Sequence, residues 1–361
     1  MESRQTAVVI GGPFFEDLER GEVYEAPAMT VGAGHAAIHQ AIAGDRLALG
    51  LDAELCREVT GSGRPLIHPN LVCDVAIGQS TAPTQRVLGN LFYRGLVLLR
   101  PVFEGDTLRT RTEVVALKQN RPRSDGTASG LAVLRIQTRN QAGDPILDFY
   151  RCPMLPMRDP QMATGHADGF DSIAPELDMG RVRAAVPDWR YERLREAVPD
   201  WRREGPREGV SGLPHEGPRE GVPEAKRPAP GTTIALEGRD TVTSAPELAR
   251  LTLNLAMTHR DPGAGAHGRR LVYGGQTISM AAAAASAALP GLVTIVAWRS
   301  CEHSAPVFEG DVLSFELAVE EIEPLQRGAG LADLRAIVHA DRGTGEEPEQ
   351  VLDWRFLAVL A

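Results

Sequence analysis

Apolar and polar positions alternate most clearly in two stretches. Leu108, Thr110, Thr112 and Val114 interleave with Arg109, Arg111 and Glu113, while Leu313, Phe315, Leu317 and Val319 interleave with Ser314, Glu316 and Ala318. A period of two predicts strands with one buried and one wet face. Further strands are expected at Leu131–Thr138, Ile146–Leu155, Ala332–His339 and Val351–Leu360. Helical spacing precedes each run. It covers Gly32–Gly44, rich in alanine and isoleucine, and Pro246–Met257, where Leu248, Leu251 and Leu255 recur and Ser244 is the expected N-cap. A second helix is expected in each half near Asn70–Ser80 and Gln276–Leu289, the latter stopped by Pro290-Gly291. The alanine-rich early helix, apolar on most sides, is the one expected to be wrapped by other structure. Helix first and antiparallel strands after it read as α+β.

The halves are copies of one unit. Pro101-Val102-Phe103-Glu104-Gly105-Asp106 returns 205 residues later as Pro306-Val307-Phe308-Glu309-Gly310-Asp311, and Arg64, Leu66 and Arg94 fall on Arg269, Leu271 and Arg299 at that offset. Gly130–Arg135 and Gly330–Arg335 match at an offset of 200. Several matches in order mean an internal duplication. Domains are expected at 1–160 and 235–361, with residues 161–234 as a low-complexity Arg/Glu/Pro/Gly linker. Within it Ala185–Arg190 repeats as Ala197–Arg202 and Glu204–Val210 as Glu216–Val222, a composition too poor in apolar surface to offset its ordering entropy. A docking motif built on Trp189 and Trp201 is the less favoured reading.

Composition removes several classes of function. A net charge of −10 argues against a nucleic-acid partner. Lys118 and Lys226 are the two lysines, and neither suits Schiff-base chemistry. Cys56, Cys73, Cys152 and Cys301 form no CxxC pair, so neither a disulfide framework nor a zinc ribbon is expected. No apolar run suits a membrane span, and Met1–Gln5 do not lead into a secretory signal, so a cytoplasmic location is expected. Gly32-Ala33-Gly34-His35-Ala36-Ala37 mimics a dinucleotide turn but lacks the βαβ context. His35 and His39 share a helix face without a third metal ligand, and no GxSxG elbow or P-loop is present.

The informative constellation ends each early helix. Aligned, Asp45 meets Asn254, Gly50 meets His259 and Asp52 meets Asp261, while Arg64-Pro65-Leu66-Ile67-His68 meets Arg269-Arg270-Leu271-Val272-Tyr273, followed by Gly274-Gly275. An acid or amide five residues before a histidine lets both converge on one water, which suits general acid–base work near neutral pH. Each residue also has a plainer reading. Asp45 can serve as a helix-end residue, His68 as a satisfied loop residue, and Arg94 and Arg299 as partners of Asp106 and Asp311 instead of a ligand's phosphate.

This pattern resembles the MaoC-like family of enoyl-CoA hydratases and dehydratases, in which a helix ends in Gly-Asp-x-Asn-Pro-x-His-x-Asp and an arginine-bearing strand runs into Pro-Val-x-x-Gly-Asp-x-Leu. The first copy keeps Gly44-Asp45 and Asp52 but has Gly50 for the histidine. The second keeps His259 and Asp261 but has Asn254 for the aspartate. The Asn254–His259 stretch and the overall size are similar to mesaconyl-CoA (2-methylfumaryl-CoA) hydratases. The resemblance implies a tandem, double hot-dog fold and two chains that can pair further. It also implies reversible hydration of an enoyl-CoA, including branched or dicarboxylic ones, without metal or redox cofactor. His259, Asn254, Asp45 and Asp261 are the candidate catalytic residues, with His68, Tyr273, Gly274, Gly275, Arg94 and Arg299 toward the substrate. Thioesterase activity and a degenerate acyl-CoA-binding subunit are the alternatives.

Overall fold

The computed structural model describes residues 11–124, 126–174, 176–197, 227–265 and 268–361. Met1–Gln5, Lys226, Trp201 with the rest of 198–202, and both copies of the Glu204–Val210 repeat lie outside the described residues. The first copy comprises β1 (Val23–Glu25), β2 (Met29–Thr30), α1 (Ala33–Ala43), α2 (Ala48–Leu51), α3 (Ala53–Thr60), α4 (Pro69–Gln79), β3 (Gly89–Arg94), β4 (Thr107–Gln119), β5 (Ser129–Arg139) and β6 (Pro145–Pro156). Two short helices follow, α5 (Met179–Ala185) and α6 (Tyr191–Ala197). The second copy comprises β7 (Thr232–Ala235), β8 (Asp240–Thr241), α7 (Ala245–Leu251), α8 (Gly274–Ala288), β9 (Leu292–Glu302), β10 (Val312–Pro324), β11 (Gly330–Asp341) and β12 (Glu349–Leu360).

Each copy forms an antiparallel six-stranded sheet, ordered β1-β4-β5-β6-β3 and β7-β10-β11-β12-β9, with β2 and β8 pairing onto β4 and β10. The duplication therefore extends to topology, and the expected tandem hot-dog arrangement is what forms. The two sheets meet at their inner edges. Leu98 N–H donates to Val296 O at 2.8 Å and Trp298 N–H to Leu96 O at 3.0 Å, so the pleat continues from one copy into the other.

The helix at the centre of each copy is the second one, not the early one. Every residue of α4 is buried, whereas α1 buries only His39 and Ala43 and leaves Ile38 48% exposed. Length and polarity misdirect here. Buried polar groups of α4 find partners through tertiary contacts, such as Asn70 Nδ2 to Ile278 O at 3.3 Å and Gln79 Nε2 to Pro27 O at 2.8 Å. The helices α4 and α8 pack closely: a Cβ on Gly275 would come 2.0 Å from Asp74 Oδ1.

Two other expectations are corrected. The helix expected over Pro246–Met257 stops at Leu251, because Thr252 folds its hydroxyl back on Leu248 O and Asn254 Oδ1 takes the Ala256 N–H, competing with helical bonds. Ser244 makes no side-chain cap there. The expected linker is packed at its start, since Val182, Trp189, Tyr191 and Leu194 join the core and Arg190 N–H donates to Val59 O at 2.9 Å. At its other end, β7 begins at Thr232.

Candidate active site

The segment from Asn254 to His259 is held from the other copy. Thr81 Oγ1 accepts the Leu255 N–H at 2.9 Å and Gln85 O accepts the Met257 N–H at 2.8 Å. A Cβ on Gly78 would fall 1.8 Å from Thr252 O, so glycine alone lets α4 approach this closely. The result is a cavity of about 270 Å³ between the copies. Asn254, Thr258, His259, Tyr273, Gly274 and His303 line one side, and Thr81, Tyr93 and Arg151 the other.

His259 sits on a short 3-10 turn, Met257–His259, and is 7% exposed. Its Nδ1 lies 2.9 Å from Leu271 O. A carbonyl can only accept, so the proton is on Nδ1 and Nε2 keeps its lone pair. Burial pushes the imidazole down, and Arg151 and Arg260 push the same way. Although the Leu271 carbonyl opposes them, the pKa falls to about 4, which leaves a neutral base at physiological pH. Asn254 Oδ1 is spent on the Ala256 N–H at 2.9 Å, so its amide NH₂ is the group left to direct a water. Behind His259, the Tyr273 ring stands 5.5 Å away with its hydroxyl buried beside Asp74. Burial, Asp74 and Tyr93 hold that hydroxyl protonated. The helix α8 begins at Gly274, and its N-cap Tyr273 has no side-chain bond to the first turn. Its leading N–H groups have no acceptor inside the helix and carry its positive dipole end.

The equivalent place in the first copy is a separate cavity of about 280 Å³, lined by Gln40, Asp45, Gly50, Leu66, His68 and Glu104. The alignment of Asp45 with Asn254 holds at the backbone: Asp45 Oδ1 accepts the Leu47 N–H at 2.9 Å, the same two-residue turn. The alignment of Gly50 with His259 holds too, because a Cβ on Gly50 would stand 3.5 Å from Leu66 O, the counterpart of Leu271 O. A histidine nevertheless reaches Asp45 from elsewhere. His68 Nε2 lies 3.2 Å from Asp45 Oδ1, and its Nδ1 accepts the Asn70 N–H at 3.0 Å. That places the ring proton on Nε2 and leaves no free lone pair. Burial raises the Asp45 carboxyl, but His68, the Leu47 N–H and His39 outweigh it and keep it below the usual carboxylate range.

Six of the ten expected site residues do not line the His259 cavity. Asp45 belongs to the other cavity, so it does not complete a dyad with His259. Asp261 is exposed and caps a turn through Gly263 N–H at 2.9 Å. Arg94 donates to Phe170 O at 2.7 Å and Ile173 O at 3.2 Å, and Arg299 pairs with Asp333; both are structural, with neither on Asp106 or Asp311. Asp106 is met by Arg64 at 2.8 Å, and Asp311 by Arg342 at 3.6 Å. His68 faces Asp45, while Tyr273 and Gly274 do line the His259 cavity and Gly275 packs on Asp74. Tyr93, Arg151 and His303 were missed because they come from strands, or from just beyond one, whose local pattern shows nothing special. His35 and His39 are not a metal pair: His35 Nδ1 takes the Gly32 N–H at 3.3 Å, and His39 Nε2 meets Ser279 Oγ at 3.2 Å. Among the described residues no helix is long and apolar enough to cross a membrane.

No family model matches the sequence. Over 345 residues the chain is 30% identical to the mesaconyl-CoA hydratase of Cereibacter sphaeroides, a match covering 90% of this chain and 89% of the relative. It is 27% identical over 342 residues to the β-methylmalyl-CoA dehydratase of Chloroflexus aurantiacus, covering 93% and 91% of the two chains. Among solved structures, a conserved hypothetical Mycobacterium tuberculosis protein described as having a double hotdog fold is 43% identical, with a TM-score of 0.82 over 98% of this chain and all of that one. A MaoC domain protein dehydratase from Chloroflexus aurantiacus, 23% identical with a TM-score of 0.74 over 98% of this chain and 99% of that one, shares the fold. Resemblance of this extent, spanning both copies at once, makes the chain a member of the MaoC-like family of double hot-dog hydratases and dehydratases.

Proposed function

We propose that the chain is a hydro-lyase that adds water reversibly across the α,β-double bond of an enoyl-CoA thioester in the cavity between its copies. The observation that carries this reading is the His259 imidazole, fixed by Leu271 O with its Nε2 lone pair free, in the cavity where α8 begins. The named activities of the relatives support it. Asn254 directs a water and His259 takes its proton as the oxygen adds to the β-carbon. Charge then moves onto the thioester oxygen, where the N-terminal N–H groups of α8 hold it as an oxyanion hole does. The same proton returns to the α-carbon, and dehydration is the reverse. CoA enters as part of the substrate, and the sequence of steps needs neither metal nor redox cofactor.

The test is the ultraviolet absorbance of the conjugated thioester across a CoA panel that includes mesaconyl-CoA and crotonyl-CoA. Loss of the enone without free thiol is the expected result. Thiol release with the enone intact would make the chain a thioesterase, and binding without turnover would make it a carrier; either would overturn the proposal.

A further inference from the structure

Arg151, on β6, lines the His259 cavity from the other copy and is 4% exposed. Its Nη2 donates to Ser80 O at 3.0 Å and Thr84 Oγ1 at 2.7 Å, but its Nε is buried without a partner. Among the described residues it forms no ion pair, and the groups felt by its charge are Tyr93, Tyr273 and Cys152, with no carboxylate among them. A guanidinium removed from water is costly to keep without a counter-charge.

Strand register shows that the fold does not demand it. Arg151 stands opposite Leu134, and Phe356 stands opposite Leu334 at the matching place in the second sheet. Phe356 is fully buried and stacks on Trp354 at 3.9 Å. The same position is therefore filled by an apolar ring where no cavity needs a cation. Arg151 is also near enough to His259 for its charge to act on the imidazole. An anion received here sits only a few atoms from the reacting bond.

We propose that Arg151 determines specificity by receiving a carboxylate at the end of a short acyl chain, so that the substrate is the CoA thioester of a dicarboxylic acid. This rests on reading the cavity as the enoyl-CoA site. The planar donor edge of arginine matches a carboxylate, and the absent internal counter-ion leaves that place for the ligand.

Succinyl-CoA and butyryl-CoA provide the test, because they differ in a terminal carboxylate against a methyl group and neither has a double bond to hydrate. Calorimetric titration of the intact chain should show succinyl-CoA binding about 10²-fold tighter, the scale of a buried charge pair. Arg151→Met should bring the two within about threefold, and Arg151→Lys should keep part of the preference. In turnover, Arg151→Met should raise KM for mesaconyl-CoA by a much larger factor than KM for crotonyl-CoA. Equal affinity of the native chain for the two saturated thioesters would overturn the proposal, whether or not the variants fold. So would an equal loss on mesaconyl-CoA and crotonyl-CoA, which would make Arg151 only a support for Ser80 and Thr84. Preference for succinyl-CoA without hydration of any enone would reject the hydratase and keep the carboxylate site; hydration of crotonyl-CoA with no such preference would do the reverse.

Discussion

The starts of α4 and α8 are the same place in two copies, and their chemistry is opposite. At α4 the first position is Pro69, which has no N–H, and the second is Asn70, whose N–H is taken by His68 Nδ1. At α8 the first positions are Gly274 and Gly275, with no side-chain cap on their N–H groups from Tyr273. The histidines diverge in the same sense. His68 has its Nδ1 filled by a donor, whereas His259 has its Nδ1 filled by an acceptor. One exchange of backbone partner thus decides whether the ring keeps a free lone pair. The first cavity keeps an acid and a histidine at contact distance yet lacks both a free lone pair and an oxyanion site. Residue types alone do not make a catalytic pair; the groups that occupy their other atoms do.

The sharpest way to break this contrast is to remove each histidine. His259→Ala is expected to lower kcat by about 10²–10⁴-fold, the usual contribution of a general base, while His68→Ala changes turnover by less than about tenfold. The reverse order, read by enone absorbance on the folded variants, would move the chemistry to the first copy.

A smaller effect is expected from giving α8 the start of α4. Gly274→Pro removes a donor and should cost roughly 10²-fold in kcat. Because a Cβ on Gly274 would approach the His303 ring at 2.7 Å, Gly274→Ala serves as the steric control. Equal losses in the two variants would mean crowding, and the N–H would play no part.

The finest distinction lies in pH. The base works when unprotonated, and burial holds His259 near 4, so kcat/KM should stay level as pH falls through 6 and decline only toward pH 4. Asn254→Asp, which restores the first copy's residue type, places a negative charge beside the imidazole and should move that decline upward. An acid limb near pH 6.5 in the unaltered protein would show that burial does not depress the titrating base.

The fold was legible where burial is one-sided. Alternation in β4 and β10 and the Pro-Val-Phe-Glu-Gly-Asp repeat both survive intact in the structure. The central helix was obscured because Asn70, Asp74 and Gln79 are polar yet buried, and their side-chain partners come from distant residues or the other copy. At the site, His259 and Asn254 could be found because five residues separate them on one segment. The Asp45–His68 contact joins positions 23 residues apart through a turn and two helices, and hydrogen-bond direction at Nδ1 has no trace in residue type. Arg151 carried a signal only in comparison, as an arginine where the sister strand has phenylalanine.

The edge where Leu98 meets Val296 has a consequence for how such a molecule can change. In an assembly of two identical chains, every substitution appears at both sites together, so neither can be altered without the other. Here the two halves of the continuous sheet belong to one polypeptide, always present in equal amounts and never exchangeable. One helix start could acquire a proline while the other kept its glycines, and one wall of the shared cavity could acquire an arginine that its sister never needed. Covalent union thereby freed the pair from its own symmetry.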